Sequence, residues 1–325
     1  MKFVGSLLLA ACGLLSAAAG AQTTAPAFPA RPVTLVVPYT PNSGSDILAR
    51  IIGPRLSARW GQPVIVENRP GASGNIGASQ VAKAPADGHT LLMMISTFTI
   101  TPALYKQMPY DPVADFAPVG KLAEANFAIA VSNSVPARDV KSLVAWLKQN
   151  PGKYNYASPG NGTPQHLAMS IFLERYGVEL LHVPYKGIGP ALTELGGGTV
   201  QVMFATVHSV LPLVQAGKVR LLAVNGADRS ALAPDVPTFR EQGVDMAEGI
   251  DAWYGVLAPA RTPADVVTRL NRDFNEVITS PEVKAQAAKQ GITVDPSTPA
   301  QLGALVKSDL QRWKKVVNDH KITAD

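Results

Sequence analysis

At 325 residues and 46% apolar content the chain is long enough to bury two cores of ordinary size, which excludes a disordered protein. Its formal charge of +5 is spread without a basic block or interleaved aromatics, which argues against nucleic acid as a partner and leaves a mild preference for small anions. The lone cysteine, Cys12, has no second thiol with which to form an intrachain disulfide.

The N-terminus opens on Lys2, an apolar run Phe3–Ala19 and the pattern Ala19-Gly20-Ala21, which reads as an export signal over residues 1–21 cut before Gln22. Leu9-Ala10-Ala11-Cys12 also fits a lipoprotein cleavage pattern, so Cys12 stands as an alternative lipidation site. With Gln22 as the first mature residue no thiol remains, and cysteine nucleophiles and zinc–thiolate sites fall away. No comparable apolar run recurs, so the exported mature chain is expected to lack a membrane span and to be soluble.

Short β-branched runs then alternate with helical patterns. Strands are expected at Val33–Val37, Val64–Val66 and Leu91–Ile95, with helices from Asp46, from Ile76 and over Pro102–Lys106. A second series follows, with strands near Ala128–Val131, Tyr154–Ala157, Glu179–Val183, Val200–Phe204 and Val219–Val224. Between them lie helices Lys141–Gln149, Pro164–Tyr176, Gly189–Leu195 and Ser209–Gln215. One more strand, Tyr254–Leu257, precedes helices Pro263–Thr279, Pro281–Gln290 and Pro299–Asp319, which have no strands of their own to cover. They are expected to return to the first domain. The reading is an α/β chain of two lobes, each a mostly parallel sheet flanked by helices: residues 22–125 plus 250–325, and residues 126–249. It crosses between lobes near Glu124–Phe127 and Glu248–Trp253, and a cleft between such lobes is where ligands bind.

Two strand-to-helix turns stand out. Residues 154–166 end a strand in Ser158-Pro159-Gly160-Asn161-Gly162 and open a helix with Thr163 as N-cap and Pro164 at N1. Residues 33–50 repeat the device after the first mature strand. Free N–H groups and the positive end of a helix suit an anion, so the pair predicts a carboxylate clamp. Neither turn holds Arg or Lys in its loop, which leaves the work to helix ends and hydroxyls. Asp46 is expected first as a dipole partner of its helix, and Asn68–Gly77, which lacks the Lys-Ser/Thr ending of a nucleotide loop, as a wall of the cleft. Gly160-Asn161-Gly162 has Gln165 where a dinucleotide signature needs a small residue. His166 reads as a structural hydrogen-bonder, while His89, His182, His208 and His320 show no metal-ligand spacing. With no Gly-x-Ser-x-Gly elbow or His-Glu-x-x-His pattern, no catalytic residue, metal or cofactor is expected.

Ordered motifs along nearly the whole mature chain carry a family resemblance: Pro38-Tyr39-Thr40-Pro41 with Asp46–Arg50, Val66–Gly77, Pro85–Leu91, Ser158–Leu167, Val183–Gly187 with Pro190-Ala191, and Trp253-Tyr254-Gly255. The chain resembles the periplasmic solute-binding receptors of tripartite tricarboxylate transporters, also called Bug or TctC-like receptors. That resemblance implies a flytrap-like fold whose two loops hold a ligand carboxylate. Position by position it points to Tyr39, Thr40, Asn42, Ser43, Gly44 and Ser45 in the first loop and to Ser158, Gly160, Asn161, Gly162 and Thr163 in the second. Ser96, Tyr185, Ala205 and Thr206 complete the expected ligand-binding set.

Two departures matter. Asn42-Ser43 replace the glycine pair usual after Pro41, and Met203-Phe204 lead into Ala205-Thr206 where an acidic residue is common. The second departure weakens the case for a ligand bearing an amino group. The expected function is capture of a small organic carboxylate and its delivery to the membrane subunits of a transporter, by a monomer without enzymatic activity. A ligand sensor that presents the carboxylate to a signalling partner is the alternative, and a periplasmic hydrolase is the third reading.

Overall fold

The polarity of the strands places everything else. In the computed structural model, residues 28–319 and 322 are described, apart from 106, 227, 245 and 247–251. The expected signal segment 1–21, Cys12 and most of the crossing at Glu248–Trp253 therefore lie outside the described residues.

The first sheet holds β1 (Val33–Val37), β2 (Val64–Asn68), β3 (Thr90–Ile95), β4 (Phe116–Ala125), β10 (Ala252–Pro259) and β11 (Ile292–Val294), in the order β11-β4-β10-β3-β1-β2. The second holds β5 (Phe127–Ser132), β6 (Asn155–Ser158), β7 (Leu181–Pro184), β8 (Val202–Thr206) and β9 (Val219–Val224), in the order β7-β6-β8-β5-β9. Helices α1 (Gly44–Trp60), α2 (Asn75–Ala82) and α3 (Thr97–Leu104) follow β1, β2 and β3. In the second unit α4 (Val140–Lys148), α5 (Pro164–Tyr176), α6 (Ile188–Gly197) and α7 (Val207–Gln215) follow β5, β6, β7 and β8. The chain ends with α8 (Ala264–Thr279), α9 (Pro281–Ala288) and α10 (Pro299–Asp319). This is the two-lobed fold of periplasmic binding proteins.

Both sheets are mixed in a regular way. β10 runs antiparallel to β3 and β4, and β5 runs antiparallel to β8 and β9, whereas β1, β2 and β3 pair in parallel, as do β6, β7 and β8. The reason is where the chain enters. β4 ends at Ala125 and β5 begins at Phe127, so one residue, Asn126, carries the chain between sheets, and the strand that leaves this junction must run away from it. β1, β3, β6 and β8 run the other way and deliver their carboxyl ends to the junction side, the edge where open α/β sheets bind ligands.

The longest strand, β4, was not among the expected elements. Pro118 and Gly120 lower its strand propensity, and it exists because β10 and β11 pair with it on both sides, with register shifts that absorb the irregular residues. Helices α8 and α10 pack on this strand, which returns the C-terminal helices to the first lobe.

A buried carboxylate ties α1 to α8. Asp273, on α8, accepts hydrogen bonds from Arg59 Nε at 2.9 Å, Trp60 Nε1 at 2.8 Å and Arg269 Nε at 3.2 Å, and pairs with Arg272 at 3.2 Å. Burial alone would raise its pKa, but the bonds from Trp60 and the arginines hold the carboxyl below its ordinary value. Asp273→Ala, which strands the buried Trp60 N–H and removes the partner of three part-exposed arginines, is expected to lower stability by about 1–3 kcal/mol in thermal denaturation. A loss below about 1 kcal/mol would refute the role given to this carboxylate.

Candidate functional site

A cavity of ≈ 550 Å³ opens where the loops of the two sheets meet. Its wall takes Tyr39, Thr40, Asn42, Ser43, Gly44 and Ser45 from the β1–α1 turn, and Gly160, Thr163, Pro164 and Gln165 from the β6–α5 turn. Pro70–Gly74, Thr97, Phe127, Lys186–Ile188, Thr206, His208, Ser209 and Tyr254 close the remaining sides.

The first turn is built by its own side chains. Asn42 sits at φ +64°, the left-handed region that Asn tolerates better than most residues and glycine best, which explains how Asn can replace a glycine there. Ser43, at φ −69° and ψ 158°, caps α1 through a bond from the Asp46 N–H at 3.4 Å. The buried Asp46 carboxylate accepts from the Asn42 N–H at 2.9 Å, from Asn68 Nδ2 at 2.9 Å and from Arg50 Nε at 3.0 Å. Burial raises this carboxyl, and the bonds from Arg50, Asn42 and Asn68 more than offset it, so its pKa is held below the ordinary value. Asp46 thus shapes the turn from behind. The Ser43 N–H is taken by the Thr40 carbonyl at 3.2 Å, and the Gly44 and Ser45 amides have no partner among the described residues.

The second turn differs from the expectation. The Gly160 N–H goes to Ser158 Oγ at 3.2 Å, the Gly162 N–H to His166 Nδ1 at 3.1 Å, and the Thr163 N–H to the Gly160 carbonyl at 3.4 Å. A tight glycine turn folds back on its own cap and consumes these donors. Pro164 has no N–H, so the open amide at the start of α5 is that of Gln165.

Six of the expected residues do not line the cavity, each for a stated reason. Ser158 is fully buried beneath the turn, with its hydroxyl 2.7 Å from His182 Nε2. Gly162 faces the Leu104 side chain of α3. Ser96 is fully buried at the N-cap of α3, and its neighbour Thr97 reaches the wall instead. Ala205 packs in the apolar cluster on the face of β8 opposite to Phe204, as strand alternation requires. Tyr185 packs against that same cluster. Asn161 lies off the wall between two glycines that turn the chain.

Lys186, Gln165, His208, Ser209 and Thr97 were not expected in the wall. The available signal was position, because each follows the carboxyl end of a strand that feeds the junction. Lys186 is exposed and is the one formally charged side chain in the wall among the described residues; Asp and Glu are absent from the described wall. Tyr254 is buried, its phenol pushed well above the ordinary pKa by burial, and its hydroxyl sits against Gly44, where a Cβ would collide with it.

The first turns of α1, α3, α5, α6 and α7 and the cap of α2 all reach this cavity, so their partial positive ends share one volume. Such helix ends favour an anion, and no carboxylate stands among the described residues of the wall to favour a cation.

These observations define a two-lobed ligand receptor. The sequence profile described as tripartite tricarboxylate transporter family receptor matches residues 48–322. The chain belongs to this family, whose members are periplasmic receptors and not enzymes. It is 39% identical over 299 residues to a protein of the tcbD-tcbE intergenic region of Pseudomonas sp. (strain P51), covering 92% of this chain and 89% of that one. Among solved structures it is similar to an R. palustris protein with adipate, at 36% identity and TM-score 0.85 over 91% of this chain and 99% of the other. It is also similar to MatC from Rhodopseudomonas palustris with bound malate, at 31% identity and TM-score 0.80 over 89% and 100%.

Three imidazoles, His166 buried and His182 and His208 half-buried, make the fold sensitive to acid. Burial lowers His166 and His208 to about 4, and burial together with the neighbouring His166 lowers His182 to about 3. Unfolding returns each to about 6.5, so below that pH the unfolded chain binds protons that the folded chain refuses. Stability is complete above about pH 6.5 and falls towards pH 4, by up to about 1.4 kcal/mol per pH unit for each imidazole. Asp46 and Asp273, held below 3.8, act only under that window. Thermal denaturation that gives the same Tm at pH 7 and pH 4.5 would contradict this.

Proposed function

We propose that this protein captures a small organic carboxylate between its lobes in the periplasm and delivers it to the membrane subunits of a tripartite tricarboxylate transporter. The head group sits between the open Gly44 and Ser45 amides of α1 and the Gln165 amide of α5, with the Tyr254 hydroxyl beside them. The observation that carries this reading is a shared cavity wall built from helix N-termini of both sheets, with no acidic side chain among its described residues. The adipate and malate seen with similar proteins support the ligand class. Sheet membership supports lobes of 22–125 plus 250–325 and of 126–249. The mature receptor starts at Gln22, after removal of the signal, and acts as a monomer.

Magnitudes allow it. A few charge-assisted hydrogen bonds at about 1.5–3 kcal/mol each, less the costs of association and lobe closure, leave a net near −8 kcal/mol, which is about micromolar. That strength holds a ligand and still releases it. The ligand acts by favouring the closed arrangement, in which both sets of donors reach it at once.

Calorimetry with adipate, malate and a set of tricarboxylates and aromatic carboxylates is expected to give micromolar binding with at least one; no heat with any of them would sink the reading. Gly44→Ala, which drives a methyl group into the Tyr254 hydroxyl, is expected to weaken the bound acid by about tenfold or more. Thr206 lines the cavity where an acid is absent, so Thr206→Asp is expected to create amino-acid binding, and a variant that gains none would place the amine subsite elsewhere.

A further inference from the structure

Beneath the turn that opens α5, three rings are piled face to face: Tyr156 from β6, His182 from β7 and His166 from α5. Tyr156 and His182 lie 4.7 Å apart, and His182 and His166 4.1 Å apart with 7° between their planes. Neither imidazole lines the cavity, yet each grips the loop that does. His166 Nδ1 accepts the Gly162 N–H at 3.1 Å. His182 Nε2 lies 2.7 Å from the Ser158 hydroxyl, which donates to the Gly160 carbonyl at 3.0 Å and accepts the Gly160 N–H at 3.2 Å. The turn is therefore held at both ends, with Gly160 at φ +147° and Gly162 at φ +71°.

Apolar side chains would fill the same space, so the polar atoms call for an explanation. We propose that His166 and His182 are positioning residues for ligand binding: a stacked pair of neutral imidazoles that locks the Gly160–Thr163 turn and so aims the start of α5 into the cavity. The proposal rests on the carboxylate-receptor reading, and it names how the second half of that clamp is held.

Because the Ser158 hydroxyl gives its hydrogen to Gly160, His182 donates Nε2–H to it, and the bond that demands a neutral ring is the one at His166. His166 must present a lone pair at Nδ1 to accept the Gly162 N–H, and a proton there would set two donors against each other. The titratable groups that face the pair are each ring for the other, from α5 and β7, and Tyr156 from β6. Burial favours the uncharged form of both imidazoles, and two charged rings at this separation would repel.

Because one ring uses Nδ1 and the other Nε2, amide replacements separate hydrogen bonding from space filling. Asn places its Oδ1 where His has Nδ1, and Gln reaches the position of Nε2. With adipate as the probe in calorimetry, His166→Asn and His182→Gln are expected to bind within about threefold of the parent, and His166→Gln and His182→Asn about tenfold or more weaker. Hydrogen exchange of the Gly160 and Gly162 amides in the unliganded protein is expected to show the same crossed pattern. Equal losses in all four variants, or none, would overturn the proposal, and should one variant fail to fold, the crossing among the other three decides. If the parent binds no carboxylate while exchange still crosses, the ligand reading fails and the locking role stands; uncrossed exchange beside normal binding fails the locking role alone.

Discussion

One geometric constraint governs this molecule: β1, β3, β6, β7 and β8 end at the lobe junction and lead into helices there, so the positive ends of those helices are forced around one cavity. α1 brings the open Gly44 and Ser45 amides, α5 that of Gln165, and α3, α6 and α7 add their first turns to the wall. Fixed dipoles in a confined volume attract an anion without a buried formal charge, and so without the desolvation that a buried ion demands. Lys186 stands exposed in the described wall, where its ammonium keeps its water.

Such donors are useful only if they stay aimed, and the surrounding structure supplies that rigidity from behind. Asp46 fixes the first turn through Asn42, Asn68 and Arg50, and the His166–His182 pair fixes the second. At a larger scale, Ile100 on α3 and Trp313 and Val317 on α10 pack with Leu167 and Ile171 of α5, so this helix of the second lobe rests on the first. Trp253, at the start of β10, donates Nε1–H to the buried Asp309 of α10 at 2.9 Å and anchors the strand that returns from the second lobe. A receptor of this kind has its two half-sites on separate sheets, and contacts remote from the ligand set how they face each other.

Much of this was legible in the residues themselves. α5 spans Pro164–Tyr176, as the Thr163 cap, the proline at N1 and Gly177 at its end require, and β1 and β9 match their β-branched runs. The whole first turn reaches the wall because its cap, its left-handed Asn42 and its helix dipole are local properties. β4 was not legible, because Pro118 and Gly120 argue against a strand until β10 and β11 are in place. Nor was the loss of Ser158, Gly162, Tyr185 and Ala205 from the wall, since His182 holds Ser158, Leu104 packs on Gly162, and the other two lie in the cluster on the opposite face of the sheet from Phe204.

The sequence by itself determined the alternation of strands and helices, the two anion-competent turns, and the membership of the family, because caps, turn glycines and apolar periodicity act over a few residues. Tertiary structure alone decided that His182 meets the Ser158 hydroxyl, that Gly162 lies against Leu104 of α3, and that Tyr254 stands over Gly44. The physical reason is that these contacts join residues far apart in sequence, which only the packed chain brings within reach.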